Sequence, residues 1–298
     1  MILRPITLLR SAEVREAVRQ VVADMSATAM RSRAQPERGT QLALKRLEQT
    51  QSRFNMTKAG RLESVRVLEE LFFDLVATLD TGLFLEAGAK AAEASRRASQ
   101  LLPGVPVVAF EANPYTFKRF DRKIDYQSEG VQYRNQALSS EPGSLSFNVR
   151  KTEDGKPAAD GQGSLLKHTS YEPGHIQVTV PAVTLDSALD EFDGDNCALW
   201  IDVEGATRQV LGGATRTLQQ ASVVFVEVED IEYWGSQWLS EEVVRALYEA
   251  GLHPVARDFQ SRYQWNVVCV RKSLLFSPKF LEAVARYHQR VNRIQRAP

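Results

Sequence analysis

The 298-residue sequence has little cysteine and lacks long apolar runs. Its two cysteines, Cys197 and Cys269, lie inside apolar segments, so we interpret both as buried thiols and expect neither disulfides nor a cysteine metal site. Charged residues interrupt every hydrophobic run before it reaches the ~20 residues of a bilayer-spanning helix, so we predict no integral membrane segment. The N-terminal MILRPITLLR is too short and too often interrupted by Arg and Pro for a secretory signal, which favours a cytoplasmic location.

Neither sign of charge is in excess, because 37 basic residues balance 37 acidic ones. This balance gives no support to a nucleic-acid partner. The charge is unevenly distributed, with +4 on each of residues 1–79 and 274–298 and −8 on residues 80–273. Basic helices against an acidic body would explain this pattern, as would a basic face for an anionic lipid or polymer. Solvated and internally paired helix faces are the simplest interpretation.

Three segments differ in their hydrophobic periodicity. Residues 1–80 place apolar side chains at three- and four-residue spacing, which predicts a helical N-terminal extension. Residues 81–273 alternate short apolar runs with helical stretches, and residues 274–298 are typical of a basic amphipathic helix. Within the extension we expect about three helices, in residues 11–25, 40–54 and 63–79.

The alternating pattern of residues 81–273 predicts an α/β domain with a doubly wound, mostly parallel sheet. The last two strands, in LHPVARDFQ and YQWNVVCVRK, are joined by too few residues for a parallel crossover and must pair antiparallel. Between Leu138 and Val183 the alternation lapses in a polar, glycine-rich stretch that we call the excursion. We expect the excursion to lie over the carboxyl edge of the sheet, where open α/β folds bind ligands.

Acidic residues end three of the predicted strands. FLEAG contains Glu86 and Gly88, AFEAN contains Glu111, and IDVEG contains Asp202 and Glu204. Gly88 would let the backbone approach a ligand closely, and an acidic residue about 20 positions later suits two ribose hydroxyls. The spacing therefore predicts a cofactor that contains adenosine.

The loop after the first strand distinguishes between such cofactors. A dinucleotide prefers the full G-x-G-x-x-G pattern, whereas this loop has the single glycine Gly88. S-adenosylmethionine carries no phosphate and tolerates a sparser loop, so we favour it over NAD. An NAD-linked enzyme on a related sheet is the alternative.

The series FLEAGAK, VVAFEANPYTFKRF, NQALS, VPAVTLDSAL and LWIDVEGATRQVLGGA resembles the FkbM family of S-adenosylmethionine-dependent methyltransferases over about residues 80–272. The resemblance implies a class I methyltransferase (Rossmann-like) fold, with a seven-stranded sheet whose last strand is antiparallel. It also implies O-methyl transfer to a hydroxyl of a sugar, a glycolipid or a secondary metabolite.

The resemblance assigns roles to individual residues. Glu86 and Gly88 would surround the methionine end of the cofactor, Glu111 would bind the ribose, and the turn from Asn135 to Leu138 would lie beside the adenine. The full set of cofactor-binding residues that we expect is Glu86, Gly88, Lys90, Glu111, Asn113, Asn135, Ala137 and Asp202.

Two positions of the cofactor loop depart from the family pattern. Lys90 stands where the family usually has asparagine, and Ala92 stands where it usually has glycine. The loop is therefore bulkier and more cationic than usual. A non-catalytic binding protein with a degenerate cofactor loop is the alternative function.

Methyl transfer to a hydroxyl needs a group that takes the acceptor's proton. Asp202 and Glu204 are the leading candidates, Glu227 lies at the next strand end, and His168 of the excursion is a further candidate base. The carboxylates would also suit a divalent metal that lowers the acceptor's pKa, although we predict no metal site. Trp234 would either stack on a sugar ring of the acceptor or pack over the hydrophobic core.

We expect a small molecule or a glycan as the acceptor. The helical segments at both ends of the chain would shape the acceptor pocket or form the interface of a homo-oligomer. Sequence patterns carry no readable code for the identity of the acceptor.

Overall fold

A computed structural model describes residues 36–170, 174–193 and 195–296. The helix predicted in residues 11–25 lies outside the described residues. From residue 36 onward, two helices precede the first strand, α1 (Pro36–Gln49) and α2 (Lys58–Thr78), with a short 3-10 helix (Thr50–Arg53) between them.

Seven strands form the central sheet, in the spatial order β3-β2-β1-β7-β8-β10-β9. Strand β10 is antiparallel to both of its neighbours, and the other pairings are parallel. This arrangement confirms the predicted fold class and the antiparallel final pair. The strands in chain order are β1 (Leu83–Ala87), β2 (Val107–Phe110), β3 (Gln132–Arg134), β4 (Ala137–Leu138), β5 (Gly143–Arg150), β6 (His175–Val183), β7 (Cys197–Ile201), β8 (Ala221–Glu229), β9 (Leu252–Arg257) and β10 (Gln264–Arg271).

Helices follow most strands and cover both faces of the sheet. They are α3 (Glu93–Leu101), α4 (Pro114–Asp121), α5 (Leu185–Leu189), α6 (Thr207–Gly212), α7 (Thr215–Gln220), α8 (Ser240–Glu249) and α9 (Pro278–Arg296). The helical stretch ATRQVLGGATRTLQQ forms two helices, α6 and α7, rather than a continuous one. The break lies at Gly213, where an added Cβ would lie 2.1 Å from the carbonyl oxygen of Ser139.

The excursion contributes a second, three-stranded sheet in the order β4-β6-β5. Strands β5 and β6 form an antiparallel pair over their whole lengths. The connection between them is held to β5 by the Asn148 side chain, whose amide donates to the carbonyl oxygen of Leu166 at 3.0 Å. Such contacts fix the path of this connection, whose described residues form no helix or extended strand.

Helix α2 packs directly on the central sheet. Phe72 is fully buried, and its ring centroid lies 6.2 Å from Phe84, 5.5 Å from Trp200 and 5.6 Å from Phe225. Helix α9 packs against α2 on the same face, and its Phe280 and Val291 join the same hydrophobic cluster. The segments predicted as flanks therefore share a core with the sheet.

The basic side chains of α9 are paired with acidic ones of α2. Arg290 contacts Glu70 at 2.7 Å and Asp74 at 2.6 Å, and Arg286 contacts Asp74 at 3.2 Å. Partly exposed ion pairs contribute little to stability, so apolar packing holds these helices together. Pairing with α2 thus accounts for part of the positive charge of residues 274–298.

Cys197 and Cys269 are buried free thiols, as predicted. Burial raises the pKa of both thiols. Across the three described ranges, no helix combines the length and the apolar character that crossing a membrane requires.

Truncating Phe72 tests whether α2 is part of the sheet's core. Phe72→Ala should lower the free energy of unfolding by roughly 3–5 kcal/mol, because it leaves a cavity among three other aromatic rings. Leu62→Ala is the matched control, since Leu62 lies on the same helix and is 59% exposed. Equal losses for the two variants in denaturant unfolding would contradict this role for α2.

Candidate active site

Three strand ends meet at the carboxyl edge of the sheet. Ala87 at the end of β1 pairs with the last residues of β2 and β7. The residues that follow, Gly88, Glu111 and Asp202, therefore lie side by side. The Asp202 N–H donates to the Ala87 carbonyl oxygen at 2.9 Å, which continues the pairing beyond the strands.

Gly88 is required at this junction for two reasons. Its φ is +80°, which disfavours residues with a side chain. An added Cβ would also lie 1.7 Å from the carbonyl oxygen of Asp202. The absence of a side chain thus lets the loop after β1 lie directly against the end of β7.

A cleft with about 520 Å³ of empty space, part of it open to solvent, lies at this edge. The predicted site residues that line it are Gly88, Glu111, Ala137, Asp202 and Glu204. The excursion supplies a further wall, formed by Phe147, Gly161, Gly163 and Leu165.

Glu111 is held firmly in this cleft. Its Oε2 accepts the Lys90 N–H and its Oε1 accepts the Asn113 N–H, both at 2.7 Å. A carboxylate has about four acceptor positions, so about two stay available for hydroxyl donors. The two backbone contacts thus orient Glu111 without exhausting its capacity to bind a ligand.

Glu86 lies on the other side of the loop after β1. It is 3% exposed, and its Oε2 accepts the Ser95 N–H from α3 at 2.8 Å. A neighbouring cavity contains Glu86 together with Phe73 and Trp200, and Gly88 and Asp202 line both spaces. Glu86 is therefore next to the cleft but is not part of its wall.

The loop between β1 and α3 contains two residues in the left-handed conformation. Lys90 and Ala92 have φ of +49° and +52°, and α3 begins after them at Glu93. The left-handed conformation costs roughly 1–2 kcal/mol for a residue with a side chain. The Lys90 side chain extends to the excursion, where its Cδ would lie 3.3 Å from a Cβ at Gly161.

Four carboxyl groups follow β7 and end β8. Asp202 and Glu227 are half-buried and hydrogen-bonded to each other. Glu204 has φ of +50°, and its carbonyl oxygen accepts the Ser164 hydroxyl at 2.7 Å. Glu229 is buried and accepts the Gln237 side-chain N–H at 3.1 Å.

Burial raises the pKa of these carboxyl groups, because protein surrounds them and disfavours the charged form. The pKa of Glu86 and that of Glu111 rise to about 7, and that of Glu204 rises to about 8. For Glu111, Asp202 and Glu204, the Lys90 ammonium opposes the increase. The edge thus concentrates carboxyl groups that titrate near neutral pH.

A family model described as the methyltransferase FkbM domain matches residues 86–254. The chain belongs to the FkbM methyltransferase family. Membership confirms the resemblance noted in the sequence and makes the chain an S-adenosylmethionine-dependent methyltransferase rather than an NAD-linked enzyme. No curated protein matches the chain.

The chain is also similar to solved methyltransferase structures. The precorrin-6y C5,15-methyltransferase of Geobacter metallireducens is 13% identical, with 67% of this chain and 86% of that chain covered and a TM-score of 0.37. The 1,6-didemethyltoxoflavin-N1-methyltransferase of Burkholderia thailandensis, with bound 1,6-didemethyltoxoflavin and S-adenosylhomocysteine, is 11% identical, with 72% and 80% covered and a TM-score of 0.36. The N-terminal domain of EvdMO1 with S-adenosylhomocysteine bound is 11% identical, with 73% and 82% covered and a TM-score of 0.38.

Two of the predicted cofactor-binding residues in this FkbM chain make structural hydrogen bonds. The Asn113 side chain caps α4 by accepting the Tyr115 N–H at 3.0 Å, and its Nδ2 donates to the Ala158 carbonyl oxygen. The Asn135 Nδ2 donates to the Glu111 carbonyl oxygen at 2.8 Å. Both residues therefore shape the cleft through the backbone that they hold.

His168 lies against Trp234 rather than among the residues that line the cleft. The two ring centroids are 4.9 Å apart in an edge contact, and burial lowers the pKa of His168. Trp234 is 3% exposed and covers Gly205, where an added Cβ would lie 2.6 Å from the indole ring. Trp234 thus packs on the loop after β7 that carries Asp202.

In the part of the FkbM chain that the structure describes, no three His, Cys, Asp or Glu side chains are grouped to hold a metal ion. Sequence reasoning missed the excursion residues of the cleft wall, namely Phe147, Gly161, Gly163 and Leu165. The signal for two of them was the GQG at residues 161–163, since glycine lets backbone approach a ligand closely.

Replacing Gly88 tests the close contact between the ends of β1 and β7. Gly88→Ala should abolish S-adenosylhomocysteine binding in isothermal titration calorimetry, because the loop must move away from Asp202. Gly104→Ala is the control, since Gly104 has a similar φ of +84° but open space around an added Cβ. Gly104→Ala should cost only about 1 kcal/mol of stability and retain binding. Retained affinity in Gly88→Ala would contradict this account.

The raised carboxyl pKa values predict how the stability of the ligand-free protein depends on pH. Between the ordinary pKa of 4.5 and the raised values of about 7 to 8, the folded state binds more protons than the unfolded state. Stability should therefore fall as the pH rises through this range. Glu204→Gln should raise the melting temperature at pH 8 by at least ~2 °C and flatten its pH dependence, whereas Glu153→Gln, at an exposed position, should not. A melting temperature that increases steadily from pH 5 to 8 would contradict the assignment.

Proposed function

We propose that this FkbM protein transfers the methyl group of S-adenosylmethionine to a hydroxyl of a sugar, a glycolipid or a secondary metabolite. The observation that carries the proposal is that Asp202 lines one cleft together with Gly88 and Glu111. These three residues match the needs of methyl transfer. Gly88 and the hydrogen-bond acceptor Glu111 suit the binding of a nucleoside, and the Asp202 carboxylate suits the removal of a proton from the acceptor.

The residues of the cleft fit the cofactor. Gly88 lets the loop after β1 lie directly against the end of β7 at the wall of the cleft, and Glu111 keeps acceptor positions for ribose hydroxyls. The neighbouring carboxyl groups suit a ligand that carries positive charge. When bound, S-adenosylmethionine supplies a methyl group already activated by its sulfonium.

Asp202 is the best-placed general base. It lines the cleft, and although burial raises its pKa, the interaction with the Glu227 carboxyl group and the Lys90 ammonium both favour its ionised form. Glu204 lines the same cleft, but a pKa of about 8 keeps it largely protonated at neutral pH. The role of His168 as a base stays a prediction, because its ring contacts Trp234 and is not among the residues that line the cleft.

Partners and location stay as predicted from the sequence. A small-molecule or glycan acceptor, the absence of a nucleic-acid partner, a homo-oligomer through the helical flanks and a cytoplasmic location are all part of this proposal. A direct base is proposed in preference to a metal-assisted one, because Asp202 and Glu227 already satisfy each other through a hydrogen bond.

Methyl transfer from isotopically labelled S-adenosylmethionine tests the function. We expect label to appear as a methyl ether, identified by its NMR shift, on at least one member of a panel of glycosides and aliphatic alcohols. Asp202→Asn should lower turnover roughly 100-fold or more while S-adenosylhomocysteine affinity changes much less.

The controls separate the alternatives. Glu141→Gln, at an exposed position of the excursion, should retain full turnover. Label found on nitrogen or carbon would contradict O-methyl transfer. Cofactor binding with no transfer to any acceptor would favour the non-catalytic protein that Lys90 and Ala92 suggest, and no cofactor binding at all would contradict the whole proposal.

A further inference from the structure

A second cavity lies along β9, the edge strand of the central sheet. It contains about 950 Å³ of empty space, part of it open to solvent. Helix α1, the 3-10 helix that follows it, β9 and α9 all contribute to its lining. The described residues that line it are all different from those of the active-site cleft. Since β9 lies four strand positions from β1, roughly 19 Å separates the two strands.

Apolar side chains supply much of this lining. Ala43 and Leu47 are one turn apart on α1, and Phe280 and Val284 are one turn apart on α9. All four are buried in the protein and line the cavity. The two helices therefore present apolar stripes to the same space.

The edge strand is irregular where it meets the cavity. Ala256 pairs with Val268 and Pro254 pairs with Cys269, so Val255 is the extra residue of a β-bulge. Proline lacks an N–H group that could pair with a further strand. A bulge also changes the direction of a side chain and interrupts regular pairing. This edge is therefore better suited to a ligand that packs against it than to a strand that extends the sheet.

Arg53 supplies a cation to the cavity. Its Nη1 donates to His288 Nδ1 at 3.1 Å, and no carboxylate of the described residues forms an ion pair with it. Because a guanidinium group only donates, His288 is the acceptor and its ring is neutral. Burial and the nearby guanidinium also lower the pKa of His288 to about 4. His288 therefore orients Arg53 without balancing its charge.

Most of the donors of this guanidinium group stay available to a ligand. It has five N–H groups, of which the contact with His288 uses one. Arg46 lines the same cavity and lies seven residues earlier, a spacing that brings both arginines close to one face. A charge beside apolar side chains favours a partner of opposite sign. The ligand that satisfies this lining has an anionic group and an apolar part.

We propose that this cavity is a second binding site of the FkbM protein, for a small amphiphilic anion that consists of an alkyl chain with a carboxylate or phosphate group. The anionic group binds Arg53, and the chain packs against Ala43 and Leu47 of α1 and against Phe280 and Val284 of α9. The ligand would contact α1, β9 and α9 at once. The inference does not depend on the proposed function, because it concerns a separate site.

Isothermal titration of the full chain with octanoate and with octyl phosphate tests the proposal. We expect both to bind with a stoichiometry of one, whereas octyltrimethylammonium, which has the same chain and the opposite charge, should not bind. Shorter carboxylates should bind roughly fourfold more weakly for each methylene removed. Saturating S-adenosylhomocysteine should leave the affinity for octanoate unchanged.

Two variants separate the charge from the apolar space. Arg53→Gln keeps a donor for His288 but loses the charge, and should lower octanoate affinity roughly tenfold or more. Arg38→Gln, at an exposed position of α1, is its control and should bind like the wild type. Ala43→Leu should fill part of the cavity and also weaken binding, whereas Ala59→Leu, at an exposed position of α2, should not.

Thermal unfolding checks that each variant folds, and octanoate should raise the melting temperature of the wild type more than that of Arg53→Gln or Ala43→Leu. No binding of octanoate or octyl phosphate to the full chain would overturn the proposal. So would unchanged affinity in folded Arg53→Gln and Ala43→Leu, or competition between octanoate and S-adenosylhomocysteine. Equal affinity for inorganic phosphate and octyl phosphate would overturn the assignment of an amphiphilic ligand.

Discussion

The close approach of Gly88 to the Asp202 carbonyl is the constraint on which the site depends. With 1.7 Å between that oxygen and the position of a Cβ, no other residue type fits without moving the loop. This contact sets the loop after β1 directly beside the end of β7. It thereby brings Glu111, held by the same loop through the Lys90 N–H, into the cleft that Asp202 lines.

A second property follows from the burial of several carboxyl groups at this edge of the sheet. Burial within protein is the main cause that raises the pKa of the carboxyl groups at the edge, and neighbouring carboxylates add to the increase at Glu86 and Glu204. Lys90 is the cation that most consistently opposes this effect at Glu111, Asp202 and Glu204. A positively charged ligand would favour the ionised carboxylates further, which is the property expected of a site for a sulfonium cofactor.

Much of this arrangement could be predicted from the sequence, because local patterns encode it. Strand and helix alternation predicted the sheet, and the spacing from Gly88 to Glu111 predicted a nucleoside site. The rest of the arrangement depends on contacts between residues that are far apart in the sequence. Glu86 lies inside β1, one residue before its end, and accepts a hydrogen bond from the Ser95 N–H of α3. No spacing rule distinguishes it from the carboxylates of the cleft.

The path of the excursion likewise could not be predicted from local sequence patterns. Its glycine-rich composition predicted a loop over the site, but its path depends on hydrogen bonds from Asn148 across the sheet. That path brings Gly161 to the cleft and leaves His168 against Trp234. The break between α6 and α7 likewise depends on the distant carbonyl of Ser139. Helical periodicity continues through such a contact and does not reveal it.

A crystal structure with S-adenosylhomocysteine is the most direct test of this account. The account predicts a nucleoside in the cleft, with the ribose hydroxyls on Glu111, the backbone of Gly88 against the ligand and its sulfur facing Asp202. A ligand bound elsewhere, or one in the cleft that leaves Glu111 and Asp202 without contact, would contradict it.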